Sequence, residues 1–113
     1  MSLFQPGQIV CLEHGTITLY AEVIQIVVSR QLCWVRPLVL VNFTQEPPLI
    51  TDLRDASDLF WSINLFRQAL DTEAIGLLSQ VFATSAKPEP DKEAKQQLSQ
   101  FLHQVWRANK HQP

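Results

Sequence analysis

Residues 16–28, TITLYAEVIQIVV, decide the fold, because their apolar side chains change phase partway along one predicted strand. The apolar residues occupy odd positions up to Val23 and even positions from Ile24 onward. Side chains of a strand alternate between its two faces, so this switch predicts a bulge or a sharp bend near Val23 and Ile24. A bend of this kind lets one long strand serve two sheets or close a small barrel.

Strand signals continue on both sides of this stretch. Apolar and β-branched runs bounded by turn residues predict strands at 7–12, 16–28, 32–41 and 49–53, with a candidate fifth at 59–63. The run 32–41 is apolar on both faces, which indicates that helices cover its outer side. Pro37 has no N–H to donate, so this strand is either an edge strand or bulged at that residue.

Helical spacing replaces strand spacing after residue 55. We predict two short helices, the first over residues 64–70 and the second ending near residue 82, which complete a β-barrel-like domain at 1–82. Residues 83–91 have the proline-containing composition of an extended linker. A last, amphipathic helix is predicted at 92–109, followed by a frayed tail at 110–113. The predicted class is α+β, with a small barrel or a strongly bent antiparallel sheet of four to five strands.

The last helix carries one apolar stripe. A helix of this length is not stable alone in water, so the stripe must dock on the chain's own barrel or on a partner. Trp106, at the edge of the stripe, is typical of an interface anchor, although packing on the barrel is the more common arrangement. The candidate partner-binding residues are Leu98, Phe101, Leu102, Val105 and Trp106. The residues predicted to face away are Lys95, Gln96, Gln100, His103 and Arg107.

Three aromatic residues in the strands, Tyr20, Trp34 and Trp61, are candidates to line a groove. Such a groove binds an extended peptide or a stacked base, although aromatic residues in strands more often belong to the core. Nine basic against eleven acidic residues give a net charge of −2. Because this charge supplies no positive field toward a phosphate backbone, we do not expect a nucleic-acid partner.

A metal site is the first chemical possibility to weigh. Cys11, His14 and Cys33 include a Cys-x-x-His spacing that suits zinc, but no second ligand pair accompanies it. Both cysteines lie in apolar runs, which favours buried thiols in a reducing compartment over ligands, nucleophiles or a disulfide. We therefore predict no metal.

Other catalytic patterns are equally weak. The aspartates at 52, 55 and 58 lack the glycine and the closing glutamate of a calcium loop, and turns or helix caps explain them. Three glycines are too few for a phosphate-binding loop. The sequence consequently predicts no catalytic residue and no cofactor.

The chain length of 113 residues suits one domain. Its N-terminus lacks the basic and apolar regions of a signal peptide, and the longest apolar stretch, 32–43, is too short to span a bilayer. We expect a cytoplasmic protein without a membrane span.

The order of strands in residues 7–53, with a bent second strand and a following helix, resembles SH3-like small β-barrels that carry helical extensions. The runs LCWVRPL at 32–38 and DLRDASDL at 52–59 are also similar to small cyanobacterial proteins of uncharacterised function, several of which have such barrels. The resemblance covers about residues 7–82 and contains no diagnostic motif. It implies an adaptor or accessory subunit and assigns no functional residue.

These observations predict a non-catalytic protein-binding or assembly module whose partner is another protein or a second copy of the chain. A barrel that binds single-stranded nucleic acid is one alternative. A small metal-binding protein or enzyme is the other.

Overall fold

The computed structural model describes residues 4–44, 48–54, 56–69, 76, 79 and 92–109. Within these residues, six strands precede one long helix: β1 (Ile9–His14), β2 (Ile17–Val27), β3 (Leu32–Asn42), β4 (Leu49–Asp52), β5 (Leu59–Ser62), β6 (Arg67–Gln68) and α1 (Lys92–Asn109). All strand pairs are antiparallel. The class is α+β, as the sequence predicts, and α1 occupies the predicted range.

The strands form one sheet in the order β4-β3-β2-β1-β6, and β5 also pairs with β3. One edge of β3 is therefore shared, with β4 along residues 39–42 and β5 along residues 32–35. Within the described part of the chain the sheet does not close. Among the described residues the sheet has six strands where four to five were expected, and of the two predicted architectures, a closed barrel and a bent antiparallel sheet, the closed barrel is not formed.

A bulge in β2 confirms the predicted change of phase. Val23 pairs with Val35 and Gln25 pairs with Trp34, so Ile24 has no partner in β3. The extra residue shifts the alternation of side chains by one position, so the apolar residues after it lie on the same face of the sheet as those before it.

A second irregularity lies at Pro37, where the sequence predicts either an edge or a bulge. Tyr20 pairs with Val39 and Ala21 pairs with Pro37, so Leu38 is the extra residue of β3. Because β3 is paired on both sides, the bulge is the alternative that the structure adopts. Two bulges in neighbouring strands allow the sheet to bend between the β4 and β5 ends of β3.

The predicted helix at 64–70 was wrong. A 3₁₀ turn at Ile63–Leu65 is followed by the two-residue strand β6, which pairs with β1. Leu65, Phe66 and Ala69, whose spacing predicted the helix, lie instead in the 3₁₀ turn and on either side of β6, and Phe66 and Ala69 are buried. Of the second predicted helix, only Gly76 and Ser79 are described, both helical; the linker at 83–91 and the tail at 110–113 lie outside the described residues.

Buried apolar residues form two clusters. The helix-side core joins the sheet to α1 and comprises Phe4, Val10, Leu12, Leu19, Ala21, Val23, Cys33, Val35, Leu40, Leu53, Ile63, Phe66, Ala94, Leu98, Phe101 and Val105. The outer core comprises Cys11, Tyr20, Val39, Val41 and Ala69. Neighbouring residues of one strand, such as Leu40 and Val41, belong to different clusters. The middle of the sheet is therefore buried on both faces, as the apolar run 32–41 indicates.

Candidate protein-binding surface

The stripe of α1 docks on the chain's own sheet. Leu98, Phe101 and Val105 are buried in the helix-side core, with Phe101 and Val105 each only 1% exposed. Three of the five candidate partner-binding residues therefore contact the chain itself. A partner cannot reach them unless the helix leaves the sheet.

Trp106 is the exception, because 61% of its surface is exposed. The expectation that it packs on the chain's own sheet was wrong. Successive helix residues are rotated by about 100°, so the residue after the buried Val105 is carried to the outer side of the helix. Leu102, one turn earlier and partly buried, lies beside Trp106 on the helix surface. Together these two residues form the outer helix face.

A shallow pocket of about 300 Å³ adjoins the outer helix face. Ala56, which precedes β5, and Leu59, its first residue, line the pocket from one side, and Lys95, Leu98 and Leu102 line it from the helix. Leu102 thus belongs to both the pocket and the outer helix face. Apolar surface that continues from an exposed tryptophan into a depression is typical of protein interaction sites.

The three candidate groove aromatics do not share a groove. Tyr20 is 1% exposed in the outer core. Trp61 is partly buried and packs against the helix-side core, on the other face of the sheet. Trp34 is partly exposed and stacks on Phe60, with ring centroids 5.2 Å apart and an interplanar angle of 20°.

Trp34 and Phe60 form an aromatic platform across β3 and β5. They are direct cross-strand partners, and Phe60 is 56% exposed. The Trp34 Nε1–H donates to Asp58 Oδ2 at 2.9 Å, and Arg36 forms an ion pair with the same carboxylate at 3.7 Å. The carboxylate therefore fixes the tryptophan ring and neutralises the nearby cation.

Asp52 and Asp58 each bind side chains of this chain, and these contacts account for the two carboxylates. Arg54 donates from Nε and Nη2 to the carboxylate of Asp52, at distances from 2.8 to 3.1 Å. Burial raises the pKa of Asp52, but the hydrogen bonds and the charge of Arg54 outweigh it, so the pKa is lowered overall. The Arg54 backbone N–H also donates to Asp52 Oδ1, which makes this a turn. The aspartate at 55 lies outside the described residues.

The residues of the considered zinc set are separated. Cys11 lies in the outer core and Cys33 in the helix-side core, so the sheet lies between the two thiols. Both are buried, as the apolar runs predict. Among the described residues, no group of three or more His, Cys, Asp or Glu side chains could hold a metal ion.

Burial raises the pKa of the Cys33 thiol to about 11. At pH 8 this reduces its thiolate fraction roughly a hundredfold relative to an ordinary cysteine, and the thiolate is the reactive form. With Cys11 replaced by alanine, we expect a disulfide reagent such as DTNB to modify folded Cys33 at least about a hundredfold more slowly than the urea-unfolded chain at the same pH. Rapid release of one equivalent of reagent from the folded protein would contradict this assignment.

The same pKa fixes the direction of a pH effect on stability. As the pH rises, the Cys33 thiol ionises at a lower pH in the unfolded chain than in the folded chain. The protonated thiol therefore stabilises the fold at neutral pH, and this contribution is lost as the pH approaches 11. In alkaline unfolding experiments, Cys33→Ala should therefore show a shallower loss of stability than the unaltered chain. Equal slopes above pH 9 would contradict the raised pKa.

A cleft of about 200 Å³, lined by both polar and apolar residues, lies between α1 and the β4 end of the sheet. Gln97, Gln100 and Gln104 line it from the helix, and Asn42 and Thr51 line it from the strands. Gln100, which was predicted to face away, is exposed and lies at the open side of this cleft. The signal that could have located the cleft is the spacing of three glutamines at i, i+3 and i+7, which places them on one helix face. We call the cleft lined by these three glutamines, Asn42, Leu49 and Thr51 the amide cleft.

Comparison with known proteins gives no match to a protein-family model, a curated protein or a solved structure. Among the described residues, no helix has the length and apolar character needed to cross a membrane. The described residues form three candidate surfaces: the outer helix face with its pocket, the aromatic platform and the amide cleft.

Proposed function

We propose that the chain is a cytoplasmic, non-catalytic protein-binding or assembly module that contacts its partner through the outer helix face. The observation that carries this proposal is the 61% exposure of Trp106 on a helix whose other large apolar residues are buried or partly buried. Tryptophan is the residue type most enriched among side chains that dominate binding energies.

The surroundings of Trp106 support the same proposal. The helix is held to the sheet by four buried apolar residues, so the exposed ring stands on a rigid support. A rigid anchor loses little conformational freedom when it is buried by a partner. The adjoining pocket at Leu102 offers space of about 300 Å³ for an apolar side chain of that partner.

A relationship to SH3-like barrels is part of the proposal. It is supported by a bulged second strand that continues into a meander, and by the shared edge of β3. Small barrels of this kind often serve as adaptors, which agrees with a binding role. Buried cysteine thiols agree with a reducing compartment such as the cytoplasm.

Affinity capture tests the proposal. We expect the full chain, immobilised and exposed to a native lysate, to retain a stoichiometric protein that Trp106→Ala fails to retain. Phe60→Ala is the matched control, because it removes an aromatic ring of similar exposure on β5. Light scattering of both variants separates a second copy of the chain from a different protein. Equal capture by Trp106→Ala and the unaltered chain would remove the outer helix face from the proposal.

The aromatic platform is the observation that favours a second candidate, binding of single-stranded nucleic acid. Phe60 presents an exposed ring, and bases stack on such rings. The Asp58 carboxylate at the platform and the net charge of −2 oppose a phosphate backbone. We therefore expect no quenching of tryptophan fluorescence by a single-stranded oligonucleotide at low salt, up to about 50 μM. Quenching that disappears in Phe60→Ala would make this candidate the better one.

A further inference from the structure

The amide cleft has an apolar floor and polar walls. Ile17, Leu40 and Phe101 form the floor. Asn42, Leu49 and Ile17 are neighbours in one cross-strand row, and Thr51 and Leu40 belong to the next row on the same face. The glutamines of α1 face these two rows. The cleft is therefore built by three strands and the helix, which are fixed to each other by the helix-side core.

Hydrogen bonding in the cleft is only partly satisfied within the chain. Thr51 Oγ1 donates to Gln97 Oε1 at 2.9 Å. Asn42 Oδ1 accepts from the Thr44 backbone and hydroxyl. The Asn42 Nδ2 group and the carboxamides of Gln100 and Gln104 have no hydrogen-bond partner among the described residues. Three amide groups thus offer donors and acceptors to a ligand.

Electrostatics restrict the ligand. The described residues that line the cleft include no charged side chain. A carboxylate, phosphate or ammonium group would lose water there without gaining an opposite charge, which is costly. Carboxamides instead pair with neutral groups that both donate and accept, such as amides and hydroxyls. The volume of about 200 Å³ lies below the range typical of drug-sized ligands, so it suits a side chain better than a whole cofactor.

The edge of the sheet beside the cleft favours a peptide. Within the described part of the chain, β4 pairs only with β3, and no described strand occupies its second edge. A strand added there would place every second side chain on the face of Leu49 and Thr51, below the glutamines. The three glutamines span about 10 Å along the helix, and alternate residues of an added strand would be about 6.7 Å apart.

We propose that the amide cleft and the outer edge of β4 bind an extended, uncharged peptide segment of a partner, with a carboxamide or hydroxyl side chain seated against Asn42, Gln100 and Gln104. This site extends the proposed function and does not require Trp106, which lies on the outer helix face.

Titration of the ¹⁵N-labelled full chain with the acetylated, amidated peptide TQTQT tests this site. We expect shifts of the side-chain amide signals of Asn42, Gln100 and Gln104 together with the backbone amides of β4, with a Kd near about 1 mM for so short a peptide. The peptide TETET, which replaces neutral amides by carboxylates, should bind at least about tenfold more weakly.

Variants of the helix sharpen the test. Gln100→Leu with Gln104→Leu should weaken TQTQT at least about tenfold, whereas Gln96→Leu, at an exposed position outside the cleft, should not change the affinity. Trp106→Ala should also leave the affinity for TQTQT unchanged. A failure of the proposal for the cleft can therefore be distinguished from a failure of the proposal for the outer helix face. The proposal is overturned by no shift at about 5 mM peptide, by glucose or maltose shifting the side-chain amides while β4 stays unaffected, or by equal affinity for TETET.

Discussion

Phe101→Ala is expected to lower the free energy of unfolding by about 3–5 kcal/mol, the largest loss of any single truncation on α1. The ring is 1% exposed and belongs to the cluster that joins the helix to the sheet. Its removal leaves a cavity between two rigid elements, which cannot collapse without moving the helix. Native domains are stable by only about 5–15 kcal/mol, so this change removes a substantial part of the total.

Urea unfolding followed by circular dichroism measures this loss. Gln96→Ala is the matched control on the same helix, because Gln96 is exposed and we expect a change within about 0.5 kcal/mol. A loss below about 1 kcal/mol for Phe101→Ala would mean that the helix does not pack on the sheet as described.

Trp106→Ala is expected to weaken binding of the captured partner by at least about 30-fold, which corresponds to about 2 kcal/mol. An exposed ring that becomes buried in a complex contributes through apolar area, so the loss should appear as faster dissociation and depend little on salt. The ring makes little contact with its own sheet, and the stability of the free chain should change by no more than about 0.5 kcal/mol.

Calorimetric titration of the purified partner against both chains gives the affinity ratio. Phe60→Ala should retain the affinity of the unaltered chain, because the aromatic platform lies on β5 rather than on the outer helix face. An affinity ratio below about 3 for Trp106→Ala would show that the ring is not an anchor. A large loss of stability in that variant would show that it packs on the sheet after all.

The bends of the sheet could be predicted from sequence because they follow from local rules. The change of phase at Ile24 requires a bulge or a sharp bend, and Pro37, which cannot donate to a ladder, requires an edge strand or a bulge. Both bulges are present. The number of strands was harder, because β6 has two residues and is specified by its pairing with β1 rather than by its own sequence.

The spacing of buried residues after β5 shows why the first short helix was predicted wrongly. Leu65 lies in the 3₁₀ turn and is partly buried, and the buried Phe66 and Ala69 lie on either side of β6. Apolar spacing records which residues are buried, and different backbones can produce the same spacing over one or two turns. In this segment, only the pairing of β6 with β1 distinguishes a strand from a helix.

The stripe of α1 was identified from sequence, but its docking partner was not. A helix that needs apolar cover has the same pattern whether the cover is its own sheet or another protein. The exposure of Trp106 and the joint contribution of helix and strands to the amide cleft depend on how far α1 extends over the sheet. That position is set by tertiary packing and leaves no local signal.

Site-specific photo-crosslinking in cells that naturally make the protein can show whether a partner contacts the outer helix face. The photoreactive amino acid p-benzoyl-L-phenylalanine would replace Trp106 in one full-length variant and Phe60 in another. We expect a crosslinked protein product at position 106 and none at position 60. A product at position 60 with none at position 106 would rule out the outer helix face as the binding surface.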